Sequence, residues 1–94
     1  MGRGPWKYKI NVADVFHNDA MTFFERRDSI VNTLRNSGWY KTRQAEPGDM
    51  GELEALVDEL ADTDTTDYFD HVWDAIYDEA DDDRVWIATT GATA

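Results

Sequence analysis

Apolar and polar residues alternate with period two at both ends of the chain. Residues 6–12 read WKYKINV, with every second side chain apolar. This alternation and these residue types are typical of a strand with one buried face. Residues 84–90, RVWIATT, have the composition of a second strand. Because an isolated strand is not stable, we expect the two to pair in a small antiparallel sheet.

A helical period follows the first strand after an irregular connection over residues 15–21. Thr22 and Glu25 have the spacing of a capping box, in which each side chain bonds the other residue's amide. The expected inner face of this helix comprises Phe23, Arg27, Ile30, Val31 and Leu34. Ser37-Gly38 is predicted to end the helix, since glycine readily adopts the left-handed conformation after a helix.

Two more helices are predicted in the second half. Asp49 and Glu52 repeat the capping spacing, and the next helix has its apolar positions at Leu53, Leu56, Val57, Leu60 and Ala61. The last helix begins near Asp64 or Thr65. Its apolar positions are Tyr68, Phe69, Val72, Trp73, Ile76, Tyr77 and Ala80.

The predicted fold is α+β, with element order β-α-(β)-α-α-β. The bracketed strand is residues 39–43, WYKTR, which the pattern leaves open as a short strand or an aromatic-anchored loop. Residues 44–48 form the clearest break. A chain of 94 residues is long enough for one core, so we predict a single domain over 1–94 with flexible tails at 1–5 and 91–94.

Composition narrows the class of protein. The chain has no cysteine, which excludes disulfides and thiolate metal sites. No apolar run approaches the roughly 20 residues of a membrane span, and the first residues lack the apolar segment of a signal peptide. We therefore expect a soluble protein of the cytoplasm with no membrane partner.

The charge is distributed unevenly along the chain. Residues 1–45 carry eight Lys and Arg against four Asp and Glu, a net charge of +4. Residues 46–94 carry one Arg against sixteen Asp and Glu, a net charge of −15, and the whole chain has −11. A charge distribution of this kind gives information on solubility and on binding partners, but not on the fold.

Catalytic and metal-binding motifs are weak. An EF-hand loop from Asp62 would need Gly at position 67 and Glu at 73, where the chain has Asp67 and Trp73. Weak divalent-ion binding at residues 81–83, DDD, stays open, although a solvated helix end is the simpler interpretation. His17 and His71 have no second histidine or cysteine nearby in sequence. We predict no enzyme activity, no metal site and no cofactor.

Direct nucleic-acid binding is also not expected. The first half has basic residues next to Trp39 and Tyr40, as nucleic-acid faces do. However, a molecule of net charge −11 is repelled by a polyanion at long range. The basic residues are expected to pair with acids of the other half.

The most distinctive feature is a row of aspartates on the last helix, which we call the acidic stripe. It comprises Asp67, Asp70, Asp74, Asp78 and Asp81. Spacings of three and four residues place them on one helix face, with neighbours about 5–6 Å apart. The hypothesis is an interaction protein that presents this face to a basic partner. One specific form is DNA mimicry directed at a DNA-binding host protein, since duplex DNA carries one charge per about 1.7 Å.

Three other interpretations compete with this hypothesis. The stripe could be an ordinary solvated face, as most charge runs are. It could reflect halophilic or high-GC composition, although the basic first half argues against general salt adaptation. Alternatively, the chain is a structural or assembly protein that forms homo-oligomers through aromatic surface at Trp6, Trp39 or Trp86, with the acids only solvating it.

The first third of the chain also carries a resemblance. Residues 7–16, KYKINVADVF, followed by residues 21–27, MTFFERR, resemble small hypothetical proteins of actinobacteriophages. The similarity covers residues 6–40. It implies a phage gene product that acts in the bacterial host cytoplasm and assigns no functional residue.

Overall fold

The computed structural model describes residues 6–46 and 51–89. In these residues the elements in chain order are β1 (Tyr8–Asn11), α1 (Ala13–Phe16), α2 (Phe23–Arg35), α3 (Gly38–Ala45), α4 (Gly51–Ala61), α5 (Thr66–Asp82) and β2 (Val85–Ala88). The predicted tails at 1–5 and 91–94 and the predicted cap at Asp49 lie outside the described residues.

The two strands are parallel, so the predicted antiparallel sheet is wrong. Tyr8 pairs with Val85 and Asn11 with Ala88, in the same chain direction. A period-two pattern specifies which side chains are buried but contains no information on strand direction. Direction depends on how the helices return the chain, and residues 12–84 supply the long crossover that parallel strands need.

The fold is also more helical than predicted, with five helices in the described residues where the sequence predicts three. One addition is α1, a single turn that overlaps the start of the irregular connection expected over residues 15–21. Its Phe16 ring lies 5.3 Å from Trp73 and 6.1 Å from Phe69, between ring centroids. Phe23 joins the same cluster at 5.4 Å from Phe69. The aromatic cluster therefore joins the start of α2 to α5.

The capping box of α2 is confirmed. The Glu25 amide donates to the Thr22 hydroxyl at 3.1 Å, and the Thr22 amide donates to the Glu25 carboxylate at 2.8 Å. Arg27 lies on the inner side of α2, where its guanidinium donates to the carbonyl of buried Thr63 and lies 5.1 Å from the Phe24 ring centroid. This explains a charged residue on a helix face that otherwise packs against the core.

Residues 39–43 are neither a strand nor a loop but part of α3. Ser37 is the N-cap of α3, and its hydroxyl accepts from the Tyr40 amide at 3.1 Å. Gly38 begins α3 and does not serve as a left-handed stop for α2. A Cβ at position 38 would lie 3.2 Å from Cε1 of Tyr8, so the glycine permits close approach to β1. The sequence interpretation failed because Ser-Gly is equally consistent with a helix start and a helix end.

The amphipathic patterns of α4 and α5 are confirmed. Together with α2, β1 and β2 they supply most of one core, which comprises Ile10, Val12, Ile30, Val31, Leu34, Trp39, Tyr40, Leu53, Val57, Leu60, Phe69, Val72, Trp73, Ile76, Ala80, Val85 and Ile87. Tyr68 and Tyr77 are exceptions, since each is nearly half exposed. After α5 the chain turns at Arg84, whose φ of 61° is left-handed.

Substituting Ser37 tests whether α3 is a helix with a genuine N-cap. We expect Ser37→Ala to lower the free energy of unfolding by about 1 kcal/mol, because the Tyr40 amide loses its acceptor. Urea unfolding followed by circular dichroism measures this. Ser29→Ala within α2 is the matched control, and it should have little effect because alanine favours helix interiors. Equal effects of the two substitutions would contradict the assigned cap.

Candidate functional site

The acidic stripe lies on α5, and the amphipathic character of this helix determines which way the stripe faces. Thr65 caps the helix by accepting from the Tyr68 amide at 3.2 Å. At about 100° per residue, the five aspartates fall within an arc of roughly 80°. The buried side chains Phe69, Trp73 and Ile76 lie on the opposite side. Burial of the apolar face therefore turns the stripe outward.

All five carboxylates of the stripe are exposed to solvent. Within residues 6–46 and 51–89, no Lys, Arg or His nitrogen lies within 4.0 Å of the first four, Asp67 to Asp78. The ion pairs between the two halves use other acids: Arg35 pairs with Asp58, and Arg43 with Glu79 and Asp83. Bases of the first half thus do pair with acids of the second, but these pairs leave the first four stripe carboxylates unneutralised.

The stripe has a defined length and charge density. From Asp67 to Asp81 the helix rises about 21 Å, which gives one carboxylate per roughly 5 Å. A single DNA strand presents one phosphate per about 3.4 Å of helix axis. The stripe is therefore less dense than one DNA strand and similar to it in regularity. Like charges at this spacing repel, so the row is mildly destabilising in the isolated protein.

Helix α4 packs beside α5 and adds further acids. The exposed carboxylates are Glu52, Asp58 and Glu59 on the helix and Asp62 directly after it. Two of them are engaged, because Arg35 donates to Asp58 at 2.7 Å and the Tyr68 hydroxyl donates to Glu59. The hydrogen bond to Glu59, reinforced by the charge of that carboxylate, raises the pKa of the Tyr68 phenol. The α4 acids thus extend the negative surface, but Asp58 and Glu59 are engaged, unlike the first four acids of the stripe.

A network of polar side chains at the far end of α5 was not predicted from the sequence. The Trp39 indole donates to Oδ2 of Asp83 at 2.7 Å, and the Arg43 guanidinium donates to the same oxygen. Arg43 also donates to Glu79 at 3.2 Å. Burial alone would lower the Arg43 pKa, but the bonds to Asp83 and Glu79 outweigh it and hold the pKa above its ordinary value. The signal available in the sequence was Trp39, since a buried indole needs an acceptor.

This network lies beside an open cleft of about 410 Å³. The lining includes Lys7, Tyr8, Trp39, Thr42, Arg43, Glu46, Asp82, Asp83 and Arg84. Its three cationic and three anionic side chains balance, which favours neither an anionic nor a cationic ligand. We assign the network a structural role, in which it ties α3 to the C-terminal end of α5.

The network also changes the interpretation of residues 81–83. Asp83 turns inward to Trp39 and Arg43, so the triplet does not present three free carboxylates to a cation. Within the described ranges, no group of three His, Asp or Glu side chains is arranged to hold a metal ion. His17 packs edge-on against Phe16, with ring centroids 4.9 Å apart, and His71 is exposed on α5.

Three tryptophans were candidates for a surface of self-association. Trp39 is only 1% exposed and bonded to Asp83, so this residue is unavailable. Trp6 and Trp86 are partly exposed and border one cleft at the end of the acidic stripe.

None of the helices in the described part of the chain combines the length and apolarity of a membrane span.

Comparisons with protein-family models, with curated proteins and with solved structures find no match to this chain.

Replacing Arg43 tests the structural role of the network. We expect Arg43→Met to lower the free energy of unfolding by about 1–3 kcal/mol, because two half-buried carboxylates lose their cation. Arg35→Met removes the same charge from a far more exposed pair, whose side chains are 40% and 63% exposed, and should cost less than about 1 kcal/mol. Chemical denaturation measures the free energy of unfolding of both variants. A larger loss for Arg35→Met would refute the assignment.

The pKa of Tyr68 provides a test by titration. The unfolded phenol titrates at its ordinary value, so the bond to Glu59 stabilises the fold below that pH. Its contribution is lost as the pH rises through the raised pKa of Tyr68. Glu59→Gln should shift the Tyr68 titration, followed by carbon NMR of the tyrosine rings, to lower pH. Glu52→Gln removes a carboxylate from the same helix without touching Tyr68, and an equal shift in that variant would rule out the specific bond.

Proposed function

We propose that this protein is a non-enzymatic interaction protein whose acidic stripe binds the basic surface of a partner protein. The observation that carries the proposal is the run of four exposed carboxylates, Asp67 to Asp78, with no cation within 4.0 Å among the described residues. The same chain pairs other acids with Arg35 and Arg43. The arginines of the fold therefore neutralise particular acids, and these four aspartates of α5 are not among them.

The helix that carries the stripe is suited to binding as a rigid element. One side of α5 is buried in the core, and its last turn is tied to α3 through Asp83. Little conformational entropy is then lost at the backbone when a partner binds. The aspartates of the stripe repel one another, and a cationic surface reduces this repulsion. The relief of repulsion therefore contributes part of the binding free energy.

The more specific form of the proposal is mimicry of DNA towards a DNA-binding protein of a bacterial host. Support comes from the regular spacing of the stripe, one carboxylate per roughly 5 Å over about 21 Å. The resemblance of residues 6–40 to small actinobacteriophage proteins is consistent with a phage product acting in the host cytoplasm. In this form the stripe occupies a site that otherwise binds phosphates, and the protein acts as an inhibitor.

Neutralising the stripe tests the proposal directly. The immobilised protein is mixed with bacterial proteins that were first eluted from a DNA column, so that every candidate partner has a basic site. We expect the wild type to retain a specific component at low salt and to release it at high salt, because salt screens exposed charges. The variant with Asp67, Asp70, Asp74 and Asp78 changed to Asn should retain none.

A matched control removes four exposed carboxylates elsewhere, at Asp14, Asp19, Glu52 and Asp62. Both variants have four fewer negative charges than the native −11, hence a net charge of −7. The control should keep its partner. If both variants lose it equally, net charge and not the stripe governs binding, and if both keep it, the stripe is not the site. Duplex DNA in excess should displace the partner, and failure to do so would contradict mimicry specifically.

A further inference from the structure

A cleft of about 220 Å³ lies where the connection after α1 meets α2 and the first turns of α5. Its volume is below the roughly 300–1,000 Å³ of sites that hold drug-sized molecules, so it suits a smaller ligand. The lining has an aromatic part and a charged part, and these come from three different segments of the chain. Together they define the chemistry of a ligand.

Three phenylalanines form the aromatic part of the lining, Phe16, Phe23 and Phe69. The rings of Phe23 and Phe69 pack edge to face, with centroids 5.4 Å apart and planes at 77°. Phe69 is buried, whereas Phe16 and Phe23 are partly exposed and offer ring surface to the cleft. The rings are fixed by contacts with one another, so an apolar group of a ligand packs against a surface that is already formed.

Three charged side chains line the same cleft without neutralising one another. They are Asp19 in the connection, Arg26 on α2 and Asp70 on α5. Within residues 6–46 and 51–89, no carboxylate oxygen lies within 4.0 Å of the Arg26 guanidinium, and no cationic nitrogen lies within 4.0 Å of either aspartate. The cleft therefore has charges of both signs that are separated from each other.

Arg26 is held beside the cleft by the connection itself. Its Nη1 donates to the Asn18 carbonyl at 3.1 Å, and the same carbonyl accepts from the Met21 amide at 3.1 Å. The Asn18 side chain accepts from the Ala20 amide at 2.9 Å, which fixes the turn that carries Asp19. A guanidinium has five N–H donors, and the bond to Asn18 uses one of them, so donors remain for a ligand.

The start of α5 adds a second source of positive potential. Thr66 is the first residue of this helix and lines the cleft. The N-terminal end of a helix carries a partial positive charge that attracts carboxylates. A ligand carboxylate is therefore attracted by Arg26 and by this helix end, and a ligand ammonium group by Asp19 and Asp70.

We infer that this cleft binds a free amino acid with an apolar side chain. The side chain packs against the three phenyl rings, the carboxylate accepts from Arg26, and the ammonium group donates to Asp19 and Asp70. A ligand with a single charge meets only one sign of charge here, whereas a zwitterion meets both through charge-assisted hydrogen bonds. The inference goes beyond the proposed function and shares only Asp70 with it.

Four ligands test the inference on the unaltered protein. L-Phenylalanine has all three groups, L-alanine lacks the ring, L-phenylalaninamide lacks the carboxylate, and N-acetyl-L-phenylalanine lacks the ammonium group. We expect L-phenylalanine to shift the Thr66 methyl and the Phe16 and Phe23 ring resonances in NMR titrations. The indole N–H of Trp39, which is buried beside a different cleft, should stay in place. Each other ligand should have a Kd about tenfold higher, because one set of contacts is missing.

The analogues also distinguish a free amino acid from the end of a peptide. The amide stands for the first residue of a chain, and the acetyl derivative stands for the last. If either binds as tightly as L-phenylalanine, the cleft holds a chain end and the inference is wrong. Equal binding of L-alanine would show that the rings take no part, and no shift with L-phenylalanine would also overturn the inference.

Substitutions locate the two charges of the ligand. Arg26→Gln should reduce the preference for L-phenylalanine over its amide from about tenfold to about twofold, since the carboxylate loses its donor. Asp19→Asn combined with Asp70→Asn should reduce the preference over N-acetyl-L-phenylalanine by a similar factor, because the ammonium group loses its acceptors.

Matched controls remove the same charges outside the cleft. Arg35→Gln lies on the same helix as Arg26, and the pair Asp14→Asn and Asp74→Asn changes two exposed aspartates that do not line the cleft. Both controls should keep both preferences. If they reduce the preferences as much as the cleft variants do, net charge governs binding and the inference fails.

The results separate this inference from the proposed function. If L-phenylalanine does not bind but the stripe variant loses its protein partner, only the inference about the cleft is wrong. If L-phenylalanine binds with the expected preferences but the stripe variant keeps its partner, the cleft is confirmed as a site and the proposed function is wrong.

Discussion

Burial of one face of α5 is the constraint on which the rest of the structure depends. The side chains on this face are buried against the other elements, and their burial removes apolar surface from water; they are Phe69, Val72, Trp73, Ile76 and Ala80. The position of the aspartates follows, because a helix with one apolar face has its polar residues on the other. The acidic stripe is therefore as well defined in orientation as the core itself.

The two ends of α5 are held by different interactions, and both affect the surface that the stripe presents. Near its start, the aromatic cluster of Phe16, Phe23 and Phe69 joins α5 to α1 and α2. Near its end, Asp83 accepts bonds from Trp39 and Arg43 of α3. Asp83, the C-cap of α5, is thus structural, whereas the stripe acids, which begin two residues earlier at Asp81, are exposed. Acidic residues of one helix consequently have separate roles that composition alone does not reveal.

The fold shows which charges of the two unequal halves are paired and which remain exposed. Arg35 and Arg43 come from the basic half and neutralise Asp58, Glu79 and Asp83 of the acidic half. These ion pairs between the two halves of the chain neutralise part of their opposite charges within one domain. The surplus of acid is left on exposed positions, and α5 concentrates part of it in a regular row. A surface of this kind attracts cationic partners at long range and weakens as salt is added.

The sequence by itself determined the local elements: the strand at Tyr8–Asn11, the Thr22–Glu25 capping box, and the inner faces of α2, α4 and α5. It determined these because hydrophobic period and capping chemistry depend on neighbouring residues only. Only the tertiary structure decided that the strands are parallel, that residues 39–43 belong to a helix, that Asp83 bonds Trp39 and Arg43, and that Trp6 and Trp86 border one cleft. Each of these depends on residues far apart in the chain, or on a local signal such as Ser37-Gly38 that fits two conformations equally well. The acidic stripe belongs to both categories. The sequence was enough to show its spacing, whereas only the fold shows that no cation of the described residues lies within 4.0 Å of its first four members, Asp67 to Asp78.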